Sequence, residues 1–261
     1  MTSINLLIGG SAQGQILLDA SMANRHGLVS GATGTGKTIT LQILAEGFSS
    51  IGVPVFVTDI KGDLVGLSQP GKPHSKIDER IQKIGIEGYQ QRANPTVLWD
   101  VFEQQGLPLR VTISDMGPLL LSSLLELNDT QSGILYACFD MADDEGMLLL
   151  DMKDLRAMLN WMADNASSLK SDYGNISASS VAAIMRKLLV LEEQGADQFF
   201  GEPAINLTDI MISDFSGLGL INILDATRLS SQSPRVYAAF LLWFLSELYE
   251  NLPEVGDADR P

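Results

Sequence analysis

The glycine spacing of residues 31–38 constrains the chain more than any other feature of its sequence. The run Gly31-Ala32-Thr33-Gly34-Thr35-Gly36-Lys37-Thr38 matches the pattern G-x-x-x-x-G-K-[ST]. Glycines adopt backbone conformations that other L-residues resist, so successive N–H groups can converge on the oxygens of a phosphate. The sequence therefore predicts a phosphate-binding loop, with all eight residues as nucleotide contacts.

The last two residues of this loop carry side chains suited to a nucleoside triphosphate. Lys37 would place a point charge beside the β- and γ-phosphates, and the Thr38 hydroxyl would be a ligand of Mg²⁺. The unpaired N–H groups and the dipole of a following helix would add to anion binding. We therefore predict Lys37 as a catalytic residue and Thr38 as a metal ligand.

The segments on either side of the loop predict an α/β fold. Residues 27–30 have the pattern of a buried strand end, and residues 53–59 that of a buried strand ending in Asp59. Between them, apolar residues at helical spacing predict a helix ended by Gly52: Ile39, Leu41, Ile43, Leu44 and Phe48. Strand, helix and strand in this order form the crossover unit of a parallel sheet.

The remaining pattern predicts one domain over 1–261. Its core covers 1–113 and 196–250, an α-helical insertion covers about 114–195, and a connector follows at 251–261. Further strands are predicted at 4–8, 15–18, 97–102, 109–113 and 220–225, and a surface excursion at 61–95. Helix starts are predicted at Asp115, Asn128 or Asp129, Asp151, Ser177 and, before Pro234, Ser233.

Composition limits the classes of partner. With 45% hydrophobic residues in 261, the chain can bury a sizeable core. Its formal charge of −15 opposes tight non-specific binding to nucleic acid, because an acidic surface repels a phosphate backbone. The apolar run 236–245 is too short to cross a bilayer and predicts a core helix instead, so no membrane partner is expected.

Cysteine and histidine usage argues against other kinds of site. The single cysteine, Cys138, lies in a helical pattern and is expected to be a buried apolar residue. One cysteine and no basic-then-apolar leader favour a cytoplasmic location. His26 and His74 lie far apart in the sequence, so neither a metal site nor a nucleophile–base pair is predicted. Trp161 is expected in the core.

Four segments together resemble one family. They are the continuous run 22–42, Asp59-Ile60-Lys61-Gly62-Asp63-Leu64, Phe199-Phe200-Gly201-Glu202-Pro203 and Asn222-Ile223-Leu224-Asp225-Ala226. Over essentially its whole length the chain resembles bacterial HerA-like, helicase-related ATPases of the HerA and FtsK motor superfamily. The resemblance implies a RecA-like parallel sheet flanked by helices, ATP and Mg²⁺ as ligands, and a homo-oligomer, often a hexameric ring, that moves DNA or partner proteins.

The chain departs from this family at one point. In the family, a strand after the Pro234 helix ends in an Asp-Glu pair that orders Mg²⁺ and polarises the attacking water, and the chain stops at Pro261 before it. The resemblance therefore implies part of a longer ATPase, which binds nucleotide better than it cleaves it. Asp59 and Asp225 end similar strands without a following Glu, so each is a catalytic candidate or a structural hydrogen-bond acceptor.

The remaining predictions concern two arginines as candidates for a site role and two alternatives to the leading function. Arg228 and Arg235 are candidates for an arginine finger from a neighbouring subunit, or are ordinary surface charges. The leading hypothesis is a motor ATPase. One alternative is a nucleotide-gated assembly module without turnover; another is a small-molecule kinase with Asp59 as base, which the scarcity of arginines in the helical block disfavours.

Overall fold

A computed structural model describes residues 4–11, 13–253, 258 and 261. The chain divides into two compact units. The first, here called the P-loop unit, comprises Met1–Trp99, Asn206–Asp225 and Leu252–Pro261. The second, here called the helical unit, comprises Asp100–Ile205 and Ala226–Asn251. The predicted division into one core and one insertion stays a prediction, and residues 254–257 and 259–260 of the predicted connector lie outside the described residues.

Six strands and eleven α-helices make up the regular structure of the described residues. The strands are β1 (Asn5–Ser11), β2 (Gly14–Asp19), β3 (Val55–Asp59), β4 (Thr96–Asp100), β5 (Leu107–Pro108) and β6 (Ile221–Asp225). The helices are α1 (Lys37–Ser50), α2 (Ser75–Ile84), α3 (Ile113–Leu124), α4 (Asp129–Asp144), α5 (Met152–Asp164), α6 (Ala166–Tyr173), α7 (Ala178–Glu193), α8 (Ala196–Phe199), α9 (Leu207–Ile210), α10 (Thr227–Gln232) and α11 (Pro234–Asn251).

The strands form two sheets. β1 and β2 pair as an antiparallel hairpin. The larger sheet has the order β3-β6-β4-β5, and β6 pairs in parallel with both β3 and β4. β6 is far in sequence from both of its neighbours, β3 and β4, as parallel pairing requires a crossover between the strands. The predicted α/β class, with a parallel sheet flanked by helices, is confirmed.

A small apolar core holds α1 against this sheet. Ala45 of α1 packs with Leu64, Leu67, Ile221 and Ile223, and three partly buried side chains complete the cluster: Val55, Val57 and Leu98. The strand residues of this cluster alternate along β3 and β6, as expected for one face of a sheet. Leu64 and Leu67 also correct the predicted surface excursion at 61–95, because that segment contributes to the core.

The amino end of the sheet is closed by a tight backbone contact. Gly219 donates its N–H to the Ser49 carbonyl at 2.8 Å, and the Ser49 hydroxyl donates to the Gly219 carbonyl at 2.6 Å. A Cβ on Gly219 would lie 2.1 Å from the carbonyl oxygen of Val53. No side chain fits in that space, so glycine is required where β6 approaches the turn before β3.

The helical unit is built around large side chains. Phe199, Phe240, Trp243 and Phe244 form an aromatic cluster with ring centroids about 6 Å apart, and the Trp243 indole donates to the Asp115 carbonyl at 3.0 Å. Cys138 is fully buried and burial raises the pKa of its thiol to about 12, as expected for an inert apolar residue. Trp161 is half-exposed, contrary to the prediction, because the buried face of α5 is formed by Leu155, Met158, Leu159 and Met162.

Most helix starts follow the predicted capping residues. Asn128 caps α4, Asp151 caps α5 with Asp154 completing a capping box, and Ser177 caps α7. One prediction is wrong: Thr112 rather than Asp115 caps α3, since its hydroxyl accepts the Asp115 N–H at 3.0 Å. Helix α11 begins at Pro234, directly after Ser233, as predicted, although the buried Ser233 hydroxyl has no hydrogen-bond partner among the described residues.

Three segments differ from their predicted structure. Residues 27–30 form no strand and are exposed, because no described strand pairs with them and an isolated strand leaves its backbone groups unpaired. In place of the predicted strand at 109–113, the structure has a single bridge from Val111 to Phe200, and β5 lies just before that range. Helix α2 was not predicted; its signal is the spacing of Ile77, Ile81 and Ile84.

Candidate nucleotide-binding site

Helix α1 presents its amino end at the carboxyl edge of the parallel sheet. Near its end, Ser49 contacts Gly219, which precedes β6. Near its start, the Gln42 side chain donates to the Asp63 carbonyl at 3.1 Å, just beyond the carboxyl end of β3. Helix and strands are therefore antiparallel, so Lys37 at the start of α1 lies at the edge where open α/β sheets bind ligands.

Residues 31–36 form a loop whose shape depends on glycine. Gly34 and Gly36 have φ of 81° and 97°, in the left-handed region that other residues avoid. A Cβ on Gly31 would lie 2.6 Å from the Thr35 hydroxyl, which itself donates to the Ala32 carbonyl at 2.8 Å. Thr33 is exposed at the turn of this loop. The loop is thus internally bonded and open to solvent.

The Lys37 ammonium lies across this loop. It donates to the carbonyls of Gly31 at 2.8 Å and Ala32 at 2.9 Å. Gly36 precedes the helix without a side-chain cap, so the first N–H groups of α1 have no partner among the described residues. Thr38 lies in this first turn and is partly buried. Amide groups, an ammonium and a hydroxyl are therefore present at one helix start, and groups of these kinds fit a phosphate chain with its metal ion.

Asp59, at the end of β3, is buried and bonded to its own loop. One carboxylate oxygen accepts the N–H groups of Lys61 at 3.0 Å and Gly62 at 2.7 Å, and the other accepts that of Leu64 at 2.8 Å. This arrangement matches the structural role considered for Asp59. Its catalytic role stays a prediction.

Asp225 ends β6 directly beside Asp59. The two residues are paired in the register of the parallel strands, and Asp225 is partly buried. The two carboxylates predicted as catalytic candidates therefore share the carboxyl edge of one sheet, in the same unit as residues 31–38, the predicted phosphate-binding loop. The role of Asp225 also stays a prediction.

The two candidate finger arginines have contacts within the helical unit. The Arg228 guanidinium lies 4.2 Å from the centroid of the Phe102 ring and donates to Gln232 at 2.8 Å. Arg235 forms an ion pair with Glu126 at 2.8 Å, with both side chains more than half exposed. An exposed pair of this kind contributes little and exchanges readily. Of the two guanidinium groups, that of Arg235 therefore has the contact that is more easily exchanged for another partner.

Sequence reasoning missed the residue that joins the strands of this site. Asn222 is fully buried in β6; its amide oxygen accepts the Trp99 indole N–H at 3.0 Å, and its nitrogen donates to the Ile210 carbonyl at 2.9 Å. An asparagine among Ile221, Ile223 and Leu224 is the signal that could have shown it, because a buried amide needs partners.

Two kinds of feature are absent from the described residues. No helix in that part of the chain is long and apolar enough to cross a membrane. Across the same residues, no group of three or more His, Cys, Asp or Glu side chains could hold a metal ion. His74 has a structural role, since its Nδ1 accepts the Lys76 N–H at the start of α2.

Comparison with known proteins identifies a family and shows a similar solved structure. The family model described as "Helicase HerA-like C-terminal" matches residues 5–261. The solved structure of VirB4 of Thermoanaerobacter pseudethanolicus is similar with a TM-score of 0.51 and 17% sequence identity. That match covers 96% of this chain and 66% of the VirB4 chain, so the chain spans less than two thirds of its relative. No curated protein matches the sequence.

These findings agree with the resemblance inferred from the sequence motifs. The VirB4 match, at 17% identity, concerns the fold, and it confirms the predicted RecA-like architecture. The family match covers the phosphate-binding loop and both carboxylate-ending strands within one continuous stretch. The chain belongs to the HerA-like helicase C-terminal family of motor-type ATPases.

Proposed function

We propose that the chain binds ATP with Mg²⁺ at residues 31–38 and acts as the nucleotide-binding part of an oligomeric HerA-like ATPase. The observation that supports this proposal most strongly is the start of α1, where Lys37, Thr38 and unpaired N–H groups lie together. The backbone amides and Lys37 would hold the phosphates, and Thr38 would be a ligand of Mg²⁺. The metal would supply charge neutralisation on the β- and γ-phosphates.

The contacts of Asp59 support the nucleotide-gated alternative. Its carboxylate already accepts three backbone N–H groups, which stabilise the loop from Lys61 to Leu64. This bonding is the structural role expected of Asp59 in a module that binds nucleotide without turnover. Asp225 stays the other candidate for catalysis within the chain. If neither residue acts, the chain binds ATP and orders an assembly without turnover.

The proposed partners follow from family membership and charge. A cytoplasmic homo-oligomer, such as a hexameric ring, is the assembly that the resemblance implies, with Arg228 or Arg235 as finger. The helical unit has 8 Lys+Arg against 19 Asp+Glu, a charge of −11, whereas the P-loop unit has 9 against 13, a charge of −4. DNA contacts are thus less disfavoured on the P-loop unit.

The test follows ATP binding and phosphate release in parallel. Lys37→Ala is expected to lower ATP affinity at least tenfold, because the β- and γ-phosphates lose their charged partner. Lys72→Ala is the matched control, since Lys72 is an exposed lysine of the same unit that lies outside the loop. Equal binding by Lys37→Ala and the wild-type chain would exclude the proposed site.

Phosphate release then separates the two versions of the proposal. Turnover that Asp225→Asn abolishes and Asp59→Asn does not would identify Asp225 as the catalytic carboxylate. Binding without turnover in the wild-type chain would favour the nucleotide-gated module. In that case light scattering should show the same mass increase with ATP and with a non-hydrolysable analogue.

A further inference from the structure

The helical unit has a cavity of about 350 Å³ between the end of α3 and the second half of α7. All but one of its lining residues belong to 124–126 and 183–194, and the exception is Arg235 in the first turn of α11. We call it the α3–α7 cavity. Its volume is at the lower end of the range that is typical of small-molecule sites. The lining combines apolar residues with three cations: Leu124, Ala183, Val190 and Leu191 with Arg186, Lys187 and Arg235.

The charge of this lining is opposite in sign to that of the unit around it. The helical unit has a charge of −11. Its α3–α7 cavity nevertheless has three of the eight Lys and Arg residues of the unit, and one of the nineteen Asp and Glu residues, Glu126. Charges of one sign in a concave site focus the electric field and attract counter-ions. The cavity therefore favours an anion.

Contacts within the chain account for one of the three cations. The Lys187 ammonium donates to the Glu126 carbonyl just after α3, where the helix dipole favours a positive charge. Arg235 has an exposed ion pair with the Glu126 carboxylate at 2.8 Å. Arg186 is exposed, and its guanidinium has no hydrogen bond or ion pair within the described part of the chain. Two guanidinium groups are therefore open to a ligand.

Glu126 indicates which kind of anion fits. It follows α3 in the left-handed region at φ 51°, a position where glycine is usual. Its N–H donates to Ser123 at 3.1 Å, and that of Leu127 donates to Ser122 at 3.0 Å, so the backbone is fixed there. From this position the Glu126 carboxylate lines the cavity and pairs with Arg235. A carboxylate is thus the group that this cation already accepts, and a ligand carboxylate can replace it.

The rest of the lining limits the ligand further. Val190 is 59% exposed and offers apolar surface beside the cations, so an apolar group on the ligand would gain free energy by covering it. A polyanion such as nucleic acid is disfavoured, because the surrounding unit repels it. A single carboxylate meets the least repulsion and matches the planar fork of a guanidinium.

We propose that the α3–α7 cavity binds an organic monocarboxylate with an apolar body, either a free acid or an acidic side chain of a peptide. The ligand carboxylate pairs with Arg186 and displaces Glu126 from Arg235, while the apolar body lies against Val190. The site does not rest on the proposed nucleotide function, since all of its lining residues belong to the helical unit. Lys37→Ala should therefore bind the carboxylate as the wild-type chain does.

Nuclear magnetic resonance of the arginine Nε–Hε groups in the 261-residue chain tests the site. Arg186→Lys and Arg235→Lys assign the two signals. Octanoate is the free-acid probe and N-acetyl-leucyl-glutamate amide is the peptide probe; acetate lacks the apolar body, and octyl phosphate lacks the carboxylate. Octanoate should shift both signals and bind at least tenfold more tightly than acetate. Whichever of the two carboxylate probes binds more tightly identifies the source of the ligand.

Two cavity variants are expected to change octanoate affinity in opposite directions. Arg186→Ala should lower it about tenfold, because a charge-assisted hydrogen bond is lost. Glu126→Gln should raise it severalfold, because the competing carboxylate is removed while the side chain keeps its size. A purely structural role for Glu126 would give no such gain. Lys153→Ala is the control, since Lys153 is an exposed cation of α5 outside the cavity. Circular dichroism verifies that each variant is folded.

A matched pair of variants on α7 tests the apolar part of the site. Val190 and Leu189 are neighbours with exposures of 59% and 51%, but only Val190 lines the cavity. Val190→Asp should abolish octanoate binding, because it places a negative charge where the apolar body lies. Leu189→Asp adds the same charge to the same helix and should change the affinity about twofold at most.

Four results would overturn the proposal. The first is that neither octanoate nor the peptide shifts the Arg186 and Arg235 signals. The second is that octyl phosphate binds as tightly as octanoate, which would make the cavity a general anion site. The third is an equal loss of binding in Val190→Asp and Leu189→Asp. The fourth is weaker octanoate binding by Glu126→Gln, which would show that Glu126 supports the site instead of competing for it.

Discussion

The helical unit and the P-loop unit bury different kinds of side chain. The fully buried phenylalanine side chains, Phe199, Phe200 and Phe240, belong to the helical unit. The described part of the P-loop unit has fully buried aliphatic residues such as Ile221 and Leu224 instead, together with buried polar groups such as Asn222 and Ser49. We infer that apolar burial stabilises the first unit, whereas close backbone contact and buried hydrogen bonds have a larger share in the second.

The difference is consistent with a helical unit that contributes most to stability and a P-loop unit that contains the proposed nucleotide site. A phosphate-binding loop must leave its N–H groups open to a ligand, so it cannot be covered by large side chains. In the P-loop unit, residues 27–35 are exposed and Leu28 is 90% exposed. Ligand binding is therefore expected to stabilise the P-loop unit more than the helical unit.

The largest effect is expected from Phe240→Ala in the helical unit. Phe240 is fully buried and contacts the rings of Phe199, Trp243 and Phe244, so its loss should lower the free energy of unfolding by about 3–5 kcal/mol. Chemical denaturation measures the change, and hydrogen exchange locates it. If protection from exchange were lost as strongly in α1 of the P-loop unit as in α4 of the helical unit, the two units would not differ in how apolar burial stabilises them.

The next effect tests backbone contact in the P-loop unit. Gly219→Ala places a methyl group against the Val53 carbonyl, and should destabilise the chain by about 1–3 kcal/mol or more. Gly133→Ala is the control, because a Cβ on Gly133 of α4 meets no atom within 4 Å and alanine is the better helix former. Thermal unfolding should separate the two variants, and similar midpoints would refute the requirement for glycine at 219.

A moderate effect is expected from the buried amide of the P-loop unit. Asn222→Ala leaves the Trp99 indole N–H and the Ile210 carbonyl without a partner, which should cost about 1–3 kcal/mol. The control is Asn251→Ala, which removes an exposed amide at the end of α11. Urea denaturation followed by Trp99 fluorescence, with Trp161 and Trp243 replaced, gives the measurement. If Asn222→Ala left the free energy of unfolding unchanged, buried hydrogen bonds would not have the larger share inferred for the P-loop unit.

The smallest effect has the opposite sign. The Ser233 hydroxyl of the helical unit is buried without a hydrogen-bond partner, so Ser233→Ala should be neutral or stabilise the chain by up to about 1 kcal/mol. The same denaturation experiment measures it. Destabilisation by more than about 1 kcal/mol would mean that this hydroxyl has a partner in solution.

The sequence predicted best what depends on local interactions. The glycines and the lysine of residues 31–38 and the caps Asn128, Asp151 and Ser177 act within a few residues of themselves. The α/β class followed from a short local pattern as well, because a helix at 37–50 followed by a buried strand at 53–59 leaves few arrangements, although the strand predicted before them at 27–30 does not form.

Features that depend on distant segments could not be predicted. Residues 27–30 have the composition of a strand, but a strand also needs a neighbour, and none of the described strands pairs with them. The sequence did not reveal that Leu64 and Leu67 reach the core, since their partners Ile221 and Ile223 are more than 150 residues away. The bonding of Asp59 was considered, but only the structure shows that three N–H groups share one carboxylate.

The contacts of Lys37 bear on the heat of the proposed nucleotide binding. Because its ammonium already donates to the Gly31 and Ala32 carbonyls, a phosphate bound there would replace two hydrogen bonds instead of adding to a bare charge. The two carbonyls would then accept hydrogen bonds from water, so binding would be an exchange of partners. Titration calorimetry should therefore record a smaller release of heat than two new charge-assisted hydrogen bonds would give.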